Sequence, residues 1–134
     1  MLPKIVTMLP SFLSYLVVAM LLLAGFLLIY VKVTPYDEID LIRKGNVAAA
    51  ISLSGALLGF AMPIANVIAH SDALLDLTVW GIIAGVIQLL TYLVARFTLP
   101  HLTEDIPNGQ VASGIFVASL SMAVGLTNAA CMTY

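Results

Sequence analysis

The side chains that could do chemistry in this sequence are few, and three of them are neutral amides. Asn66, Gln88 and Asn128 each lie within a long apolar stretch. Buried amides need hydrogen-bond partners, so the two asparagines could pair with each other and Gln88 could bond to a neighbouring helix. The same side chains could instead line a polar route through a membrane. We favour the structural roles and keep the polar route as the alternative.

A second polar group comprises His70, Asp72 and Asp76, with Cys131 near the end of the sequence. His70 and Asp72 could frame a small polar vestibule with the two asparagines. As a metal site the four residues are unconvincing, because their spacing fits no standard metal-ligand pattern. The sequence also lacks a nucleophile elbow, a phosphate-binding loop and the zinc-protease and dinucleotide motifs. We therefore predict no enzyme activity, no catalytic residue, no metal and no cofactor.

The composition determines the environment of these side chains. Of 134 residues, 62% are hydrophobic and 9% are charged, whereas a soluble domain has roughly 45–50% apolar and about 25% charged residues. A soluble globular fold is therefore excluded. The net charge of −2 provides no basic surface of the kind that binds nucleic acid. The lipid bilayer is the partner that the composition predicts.

Four long uncharged runs separate the few charged clusters. A membrane-spanning helix needs about 20 mainly apolar residues, and each run reaches or nearly reaches that length. Because the runs are continuous and do not alternate with polar residues, they favour helices over barrel strands. We predict an all-α membrane protein, a single integral-membrane domain over residues 1–134. Its four transmembrane helices should lie near 12–32, 46–69, 76–98 and 111–132.

The basic residues predict the orientation. Four lie in or beside the two longer loops and one lies on the other side; the four are Lys32, Arg43, Lys44 and Arg96, and the fifth is Lys4. Since Lys and Arg accumulate in cytoplasmic loops, we expect both longer loops in the cytoplasm and both termini in the periplasm.

The second half of the sequence resembles the first. Residues 45–51 read GNVAAAI and residues 109–115 read GQVASGI, and both follow a charged loop that begins just after a proline, Pro35 or Pro100. The pattern predicts two parallel two-helix repeats, at about 5–69 and 76–134.

Small residues recur at four-residue spacing in three of the spans. Candidate helix-packing positions are Gly55, Gly59, Gly81, Gly85 and Gly125. Helices in lipid associate through close packing of such residues, so we place the second and fourth spans at the centre and the first against lipid. The pattern leaves open whether these faces pack within one chain or between the subunits of a homo-oligomer.

The loop after the first span carries Asp37, Glu38 and Asp40. These acidic residues are the most plausible docking site for a cytoplasmic partner, although a loop that is simply solvated is the simpler interpretation and the one we favour.

Three segments resemble the YjfL-like family of small bacterial inner-membrane proteins. They are residues 50–59 with Pro63, residues 80–90, and residues 128–134, which read NAACMTY. The resemblance implies four spans, a bacterial inner-membrane location and a domain of unknown function. It also implies neighbouring genes for phage-shock-type stress proteins and ATP-grasp ligases, hence a peripheral membrane-stress protein as partner.

These observations lead to two functional hypotheses. The first is a non-enzymatic scaffold or anchor in envelope maintenance or stress response, which presents its cytoplasmic loops to a peripheral protein. The alternative is a small homo-oligomeric channel or transporter, with Asn66, Gln88 and Asn128 along its polar route.

Overall fold

The computed structural model describes residues 2–71 and 73–132. Within these ranges the chain forms helices and no strand. The helices are α1 (Leu2–Val33), α2 (Glu38–Arg43), α3 (Val47–His70), α4 (Leu74–Thr98), α5 (Leu102–Asp105) and α6 (Val111–Cys131). Among the described residues, α1, α3, α4 and α6 are long and apolar enough to cross a membrane. The prediction of an all-α membrane protein with four such helices is confirmed.

The predicted bounds of the last three spans are right to within two residues, but the predicted start of the first is wrong. Helix α1 begins at Leu2, not near residue 12, and continues through Pro10. A proline inside a helix removes one backbone hydrogen bond, but an apolar segment in lipid must still make the others within the helix. Thr7 and Ser14 also donate hydroxyl hydrogen bonds to the carbonyls of Pro3 and Pro10.

The two longer loops each contain a short helix that ends in the same kind of turn. Gly45 (φ 87°) and Gly109 (φ 79°) have left-handed backbone conformations, which glycine adopts without a steric penalty. The Gly45 and Gly109 N–H groups donate to Ile42 O and Ile106 O, and the next residues donate to Leu41 O and Asp105 O. These paired bonds form a helix-terminating motif, after which α3 and α6 begin.

Helices α3 and α6 run parallel and lie in backbone contact. A Cβ atom added at Gly55 would overlap the Ala118 backbone, and one added at Gly59 would overlap the backbone carbonyl of Ser121. Similarly, a Cβ atom at Gly125 would overlap the backbone of Gly59. Each of these three glycines therefore permits a separation between the helices that no larger residue would allow.

The α4 glycines are different because side chains, not backbone, fill the space beside them. Leu22 of α1 packs at Gly81, and Phe60 of α3 packs at Gly85. Phe60 also stacks on Phe26 of α1, with 4.5 Å between the ring centroids. All five predicted packing glycines therefore face other helices of the same chain.

Burial places α3 at the centre of the bundle. Of its most apolar 18-residue window 56% is buried, against 11% for α1 and 33% for each of α4 and α6. The prediction of a central pair is thus right for α3 but wrong for α6, because α6 packs closely on α3 and contacts α4, yet is no more buried than α4. Helix α1 faces lipid along most of its length, as predicted.

The two loop turns have matching hydrogen bonds, and each half contributes one helix to the parallel α3–α6 contact. These features are those expected of two parallel repeats at about 5–69 and 76–134. That the halves arose as repeats stays a prediction.

We predict that Gly125→Ala lowers stability by about 1–3 kcal/mol, because the added methyl group forces the α3 and α6 backbones apart. Gly25→Ala is the matched control, since nothing lies within 4 Å of a Cβ atom at that helical position. The measurement is the temperature at which the purified protein loses monodisperse elution in a mild detergent. Equal transition temperatures for the two variants would contradict the packing described here.

Candidate functional site at the loop end of the bundle

Gln88 is the most deeply buried of the three predicted intramembrane amides. It lies on α4, is 1% exposed, and donates from Nε2 to the carbonyl of Ser121 on α6 over 3.1 Å. Its Oε1 atom is buried and has no hydrogen-bond partner in the described part of the chain. The side chain therefore links α4 to α6, the kind of contact expected of a structural amide.

The two asparagines do not pair with each other. Asn66 Nδ2 donates to the carbonyls of Ala129, over 2.8 Å, and Met132, over 3.0 Å. The last carbonyls of a helix have no partner within the helix, so this side chain of α3 satisfies the end of α6. The Nδ2 atom of Asn128 is buried and finds no partner among the described residues. The expected amide pair is therefore wrong, since the α6 carbonyls lie within reach of Asn66.

The polar residues near the α3–α4 turn do not gather into a site. His70 donates from Nδ1 to the Asn66 carbonyl, and Ser71 Oγ donates to Asp76 Oδ2. Asp72 lies outside the described residues, and Cys131 is exposed. Within the described ranges no three His, Cys, Asp or Glu side chains are grouped so that they could hold a metal ion.

At the other end of the bundle, which we call the loop end, Asn46 joins the loop that contains α2 to the loop that contains α5. Its Oδ1 atom caps α3 by accepting from Ala49 N–H, and its Nδ2 atom donates to the carbonyls of Ile106 and Pro107. Gln110, at the matching position before α6, makes no side-chain cap. The Asn46 side chain thus fixes the first loop against the second.

The loop end carries a cleft of about 410 Å³ between the two glycine turns. Lys44 and Asn46 line one side, and Asn108 and Gly109 line the other. On α6, Ser113 donates to Asp105 Oδ2 over 3.0 Å, which holds the second loop on its helix. The two loops therefore form one structured surface.

Two of the three predicted docking residues lie on this surface. Asp37 caps α2 by accepting from Asp40 N–H, and Asp40 pairs with Lys44 over 2.9 Å. The nearby Asp40 carboxylate raises the pKa of Lys44, but an exposed pair of this kind adds little stability. Asp37 is exposed and half of the Asp40 side chain is exposed, so both carboxylates can meet a partner.

Glu38 does not fit the docking prediction, because its side chain is completely buried. It lies behind the surface, where Thr34 Oγ1 donates to Glu38 Oε1 over 2.6 Å. The other carboxyl oxygen, Oε2, has no hydrogen-bond partner among the described residues. Successive side chains of an α-helix point in different directions around its axis. Asp37 and Asp40 therefore face outward while Glu38 faces inward.

Hydroxyl groups surround this buried carboxyl. Tyr92 of α4 donates to the Tyr36 hydroxyl over 3.2 Å, and its ring meets that of Tyr30 edge-on, with 5.6 Å between the centroids. The hydroxyls of Tyr30 and of Ser52 on α3 are neighbours, and each lacks a well-aligned hydrogen-bond partner in the described structure. We call Tyr30, Tyr36, Glu38, Ser52 and Tyr92 the tyrosine–glutamate cluster.

Burial changes the ionisation of the two members outside the membrane spans. Burial raises the pKa of Glu38 from 4.5 to about 7, although the Thr34 hydrogen bond opposes this shift and the Asp37 charge adds to it. Burial, followed by the contact with Tyr92, raises the pKa of Tyr36 well above its ordinary value. Tyr36 is therefore neutral and acts as a hydrogen-bonding group.

Sequence reasoning missed this cluster. The tyrosines were interpretable as aromatic residues at a membrane boundary, where tyrosine is common, and Glu38 as one acid in an exposed run. The segment 34–41 reads TPYDEIDL, and nothing in that pattern distinguishes Glu38 from the two other acids, Asp37 and Asp40.

Known proteins place the chain in a family. Residues 4–132 match the family described as Domain of Unknown Function (DUF350). The chain is 39% identical over 124 residues to the UPF0719 inner membrane protein YjfL of Escherichia coli K12, covering 92% of this chain and 94% of that protein. The chain belongs to this family.

A second relative comes from a distant bacterium. The UPF0719 transmembrane protein YshE of Bacillus subtilis (strain 168) is 33% identical over 116 residues, which cover 85% of each chain. No solved structure matches the chain. The resemblance to YjfL-like proteins is confirmed, and with its four apolar helices the chain is a multi-pass inner-membrane protein.

We predict that Asn66→Leu destabilises the protein by about 1–3 kcal/mol, because two carbonyls at the end of α6 lose their donor. Asn128→Leu should cost less or even stabilise the protein, since it removes a buried nitrogen that has no partner. Both variants are compared with the parent by thermal unfolding in the same detergent. The prediction fails if Asn128→Leu is the more damaging of the two.

Proposed function

We propose that this protein is a non-enzymatic membrane scaffold, whose loop end anchors a peripheral cytoplasmic protein at the inner membrane. The observation that carries the proposal is the ordered loop end. Asn46 bonds the first loop to the second, both loops end in matching glycine turns, and a cleft lies between them. A rigid, polar surface at one end of a membrane bundle binds a partner without first having to be ordered.

Charge on this surface supports an electrostatic form of docking. Asp37 and Asp40 project from α2, with Lys44 beside them. Acidic side chains on a rim steer a basic partner and select against an acidic one. The partner that fits best is a peripheral protein with a basic face. A membrane-stress protein remains the proposed class on the basis of the family resemblance.

Packing within the chain supports the scaffold over the channel. The α3 and α6 backbones touch at Gly59 and Gly125, and Gln88 fills the space between α4 and α6. These contacts argue against a polar route along Asn66, Gln88 and Asn128 within one chain. A pore would have to form between several copies, whose contacts would lie on other faces than the predicted glycines.

The proposed orientation places the loop end in the cytoplasm and both termini in the periplasm. The basic residues Lys32, Arg43, Lys44 and Arg96 lie in or beside the loop-end loops, while Lys4 lies near the start of α1. Positively charged loops are retained on the cytoplasmic side.

Any cytoplasmic protein that co-purifies with the parent should be recovered at least tenfold less with the double variant Asp37→Asn/Asp40→Asn. The reason is that this variant removes two charges from the rim of the surface. Asparagine at position 37 can still cap α2. The measurement is quantitative mass spectrometry after mild-detergent purification. Asp76→Asn, at the opposite end of the bundle, is the control and should recover the partner in full; unchanged recovery with the double variant would rule out docking through these carboxylates.

A second prediction concerns orientation. Cys131 is the sequence's single cysteine and is exposed at the opposite end from the loops. In intact cells with a permeabilised outer membrane, we expect a membrane-impermeant maleimide to label Cys131 in the parent. In a Cys131→Ser background, Lys44→Cys should react only after the inner membrane is opened, and Lys4→Cys should react before. Early reaction at position 44 would reverse the proposed orientation.

A further inference from the structure

We propose that Glu38 is a proton-binding site, and that the proton on its carboxyl holds α2 against the membrane helices. Glu38 is the only residue of α2 that is fully buried. Leu41 and Ile42 of α2 also pack against the core, but both are only partly buried. The attachment of α2 therefore depends largely on a side chain that can carry a charge.

The hydrogen bond from Thr34 stabilises an ionised Glu38 only in part, because other acceptors compete for the same proton. Thr34 Oγ1 lies 2.6 Å from Glu38 Oε1, 3.1 Å from Val31 O and 3.2 Å from Tyr36 O. A hydroxyl has one proton to donate and two lone pairs that accept. If Glu38 were ionised, three acceptors would compete for this single proton. A protonated Glu38 can instead donate to Thr34 Oγ1, and the Thr34 proton then goes to one of the two carbonyls.

Within the described residues no positively charged side chain pairs with Glu38. The titratable and charged groups nearest to it are Tyr30 of α1, Tyr36 and Asp37 beside it, and Tyr92 of α4 with the exposed Arg96 one turn on. Helices α3 and α6 bear no Lys, Arg, Asp or Glu. In the described structure the close contacts between basic and acidic side chains are Lys44 with Asp40 and His101 with Glu104, and neither includes Glu38. A buried, unpaired carboxylate is costly and normally takes up a proton.

The consequence is a pH-dependent attachment of α2. When α2 moves into water, the Glu38 carboxyl regains its ordinary pKa of 4.5, whereas burial raises the pKa to about 7 in the attached state. Below pH 4.5 both states are protonated, and attachment is at its strongest. Between 4.5 and 7 the released state alone loses its proton, so attachment weakens by up to about tenfold per pH unit. Above pH 7 it weakens no further.

This inference goes beyond anchoring a partner, because it concerns the position of α2 whether or not a protein docks there. If a partner does bind the loop end, protonation of Glu38 would determine the fraction of molecules in which that partner meets α2 in its attached position. Failure of the docking experiment would leave the proton-binding site unaffected.

The direct test is a carboxyl titration of the full chain in lipid nanodiscs. The sequence contains two glutamates, Glu38 and Glu104, so glutamate labelled with ¹³C at the side-chain carboxyl gives two signals. Glu104→Gln removes one and assigns the other to Glu38. We expect the Glu38 signal to titrate with a midpoint near 7. A midpoint equal to that of a glutamate peptide in the same buffer would overturn the proposal. The proposal would also be overturned if the Glu38 signal stayed at its ionised position throughout the titration and shifted when Na⁺ was added.

The second test measures the movement of α2. Two single-cysteine variants are made in a Cys131→Ser background: Leu41→Cys, at a partly buried position, and Ile39→Cys, at an exposed one. The measured quantity is the rate of maleimide reaction at position 41 divided by the rate at position 39. The ratio removes the pH dependence of the thiol itself. We expect it to rise between about pH 4.5 and 7 and to stay low and flat when Glu38→Gln is added. Glu104→Gln is the control and should keep the rise.

The two tests together decide the proposal. The Glu38 proton does not hold α2 if the reaction ratio stays flat with pH when Glu38 is present. The same conclusion follows if the ratio rises just as much after Glu38→Gln. If Glu38→Gln fails to fold, the titration of the parent side chain and the parent ratio still give the answer.

Discussion

Backbone contact between α3 and α6 is the interaction on which the rest of the bundle depends. Lipid provides no hydrophobic drive for helices to associate, so they are held together by close packing and hydrogen bonds. Gly55, Gly59 and Gly125 allow this approach. Once α3 and α6 are in contact, Asn66 reaches the end of α6 and Gln88 of α4 reaches Ser121. The polar side chains inside the membrane can therefore form these hydrogen bonds because the glycines let the helices approach closely.

The same contact organises the loop end. Because α3 and α6 run parallel and begin side by side, the turns that precede them are also neighbours, and Asn46 can bond to Ile106 and Pro107. Helix α2 is then held over the ends of α1, α3 and α4, with Glu38 among the tyrosines. One end of the molecule is therefore an ordered polar surface with a titratable group beneath it. At the opposite end, the described structure contains the start of α1, the end of α6 and the connection between α3 and α4.

The difference between the two ends supports the proposed scaffold function. An interior closed by glycine contacts is suited to holding a surface in place, whereas a conducting path would have to run between copies. A four-helix membrane bundle with a structured loop end fits the proposed recruitment of a peripheral protein. If Glu38 titrates near neutral pH as proposed, such recruitment would depend on the pH of the compartment that the loops face.

The sequence by itself determined the membrane environment, the four helices and the family. Apolar runs of sufficient length have one outcome in lipid, because every backbone group must bond within its own segment. Packing partners were less predictable: the small-residue spacing identified Gly55, Gly59 and Gly125 as contact positions, but not whether backbone or side chain would meet them. Only the tertiary structure decided that Asn66 bonds to α6 carbonyls and not to Asn128, and that Glu38 points inward while Asp37 and Asp40 point outward. These outcomes depend on distances between segments far apart in the chain, and on the direction each side chain takes from a helix, which residue type and spacing do not specify.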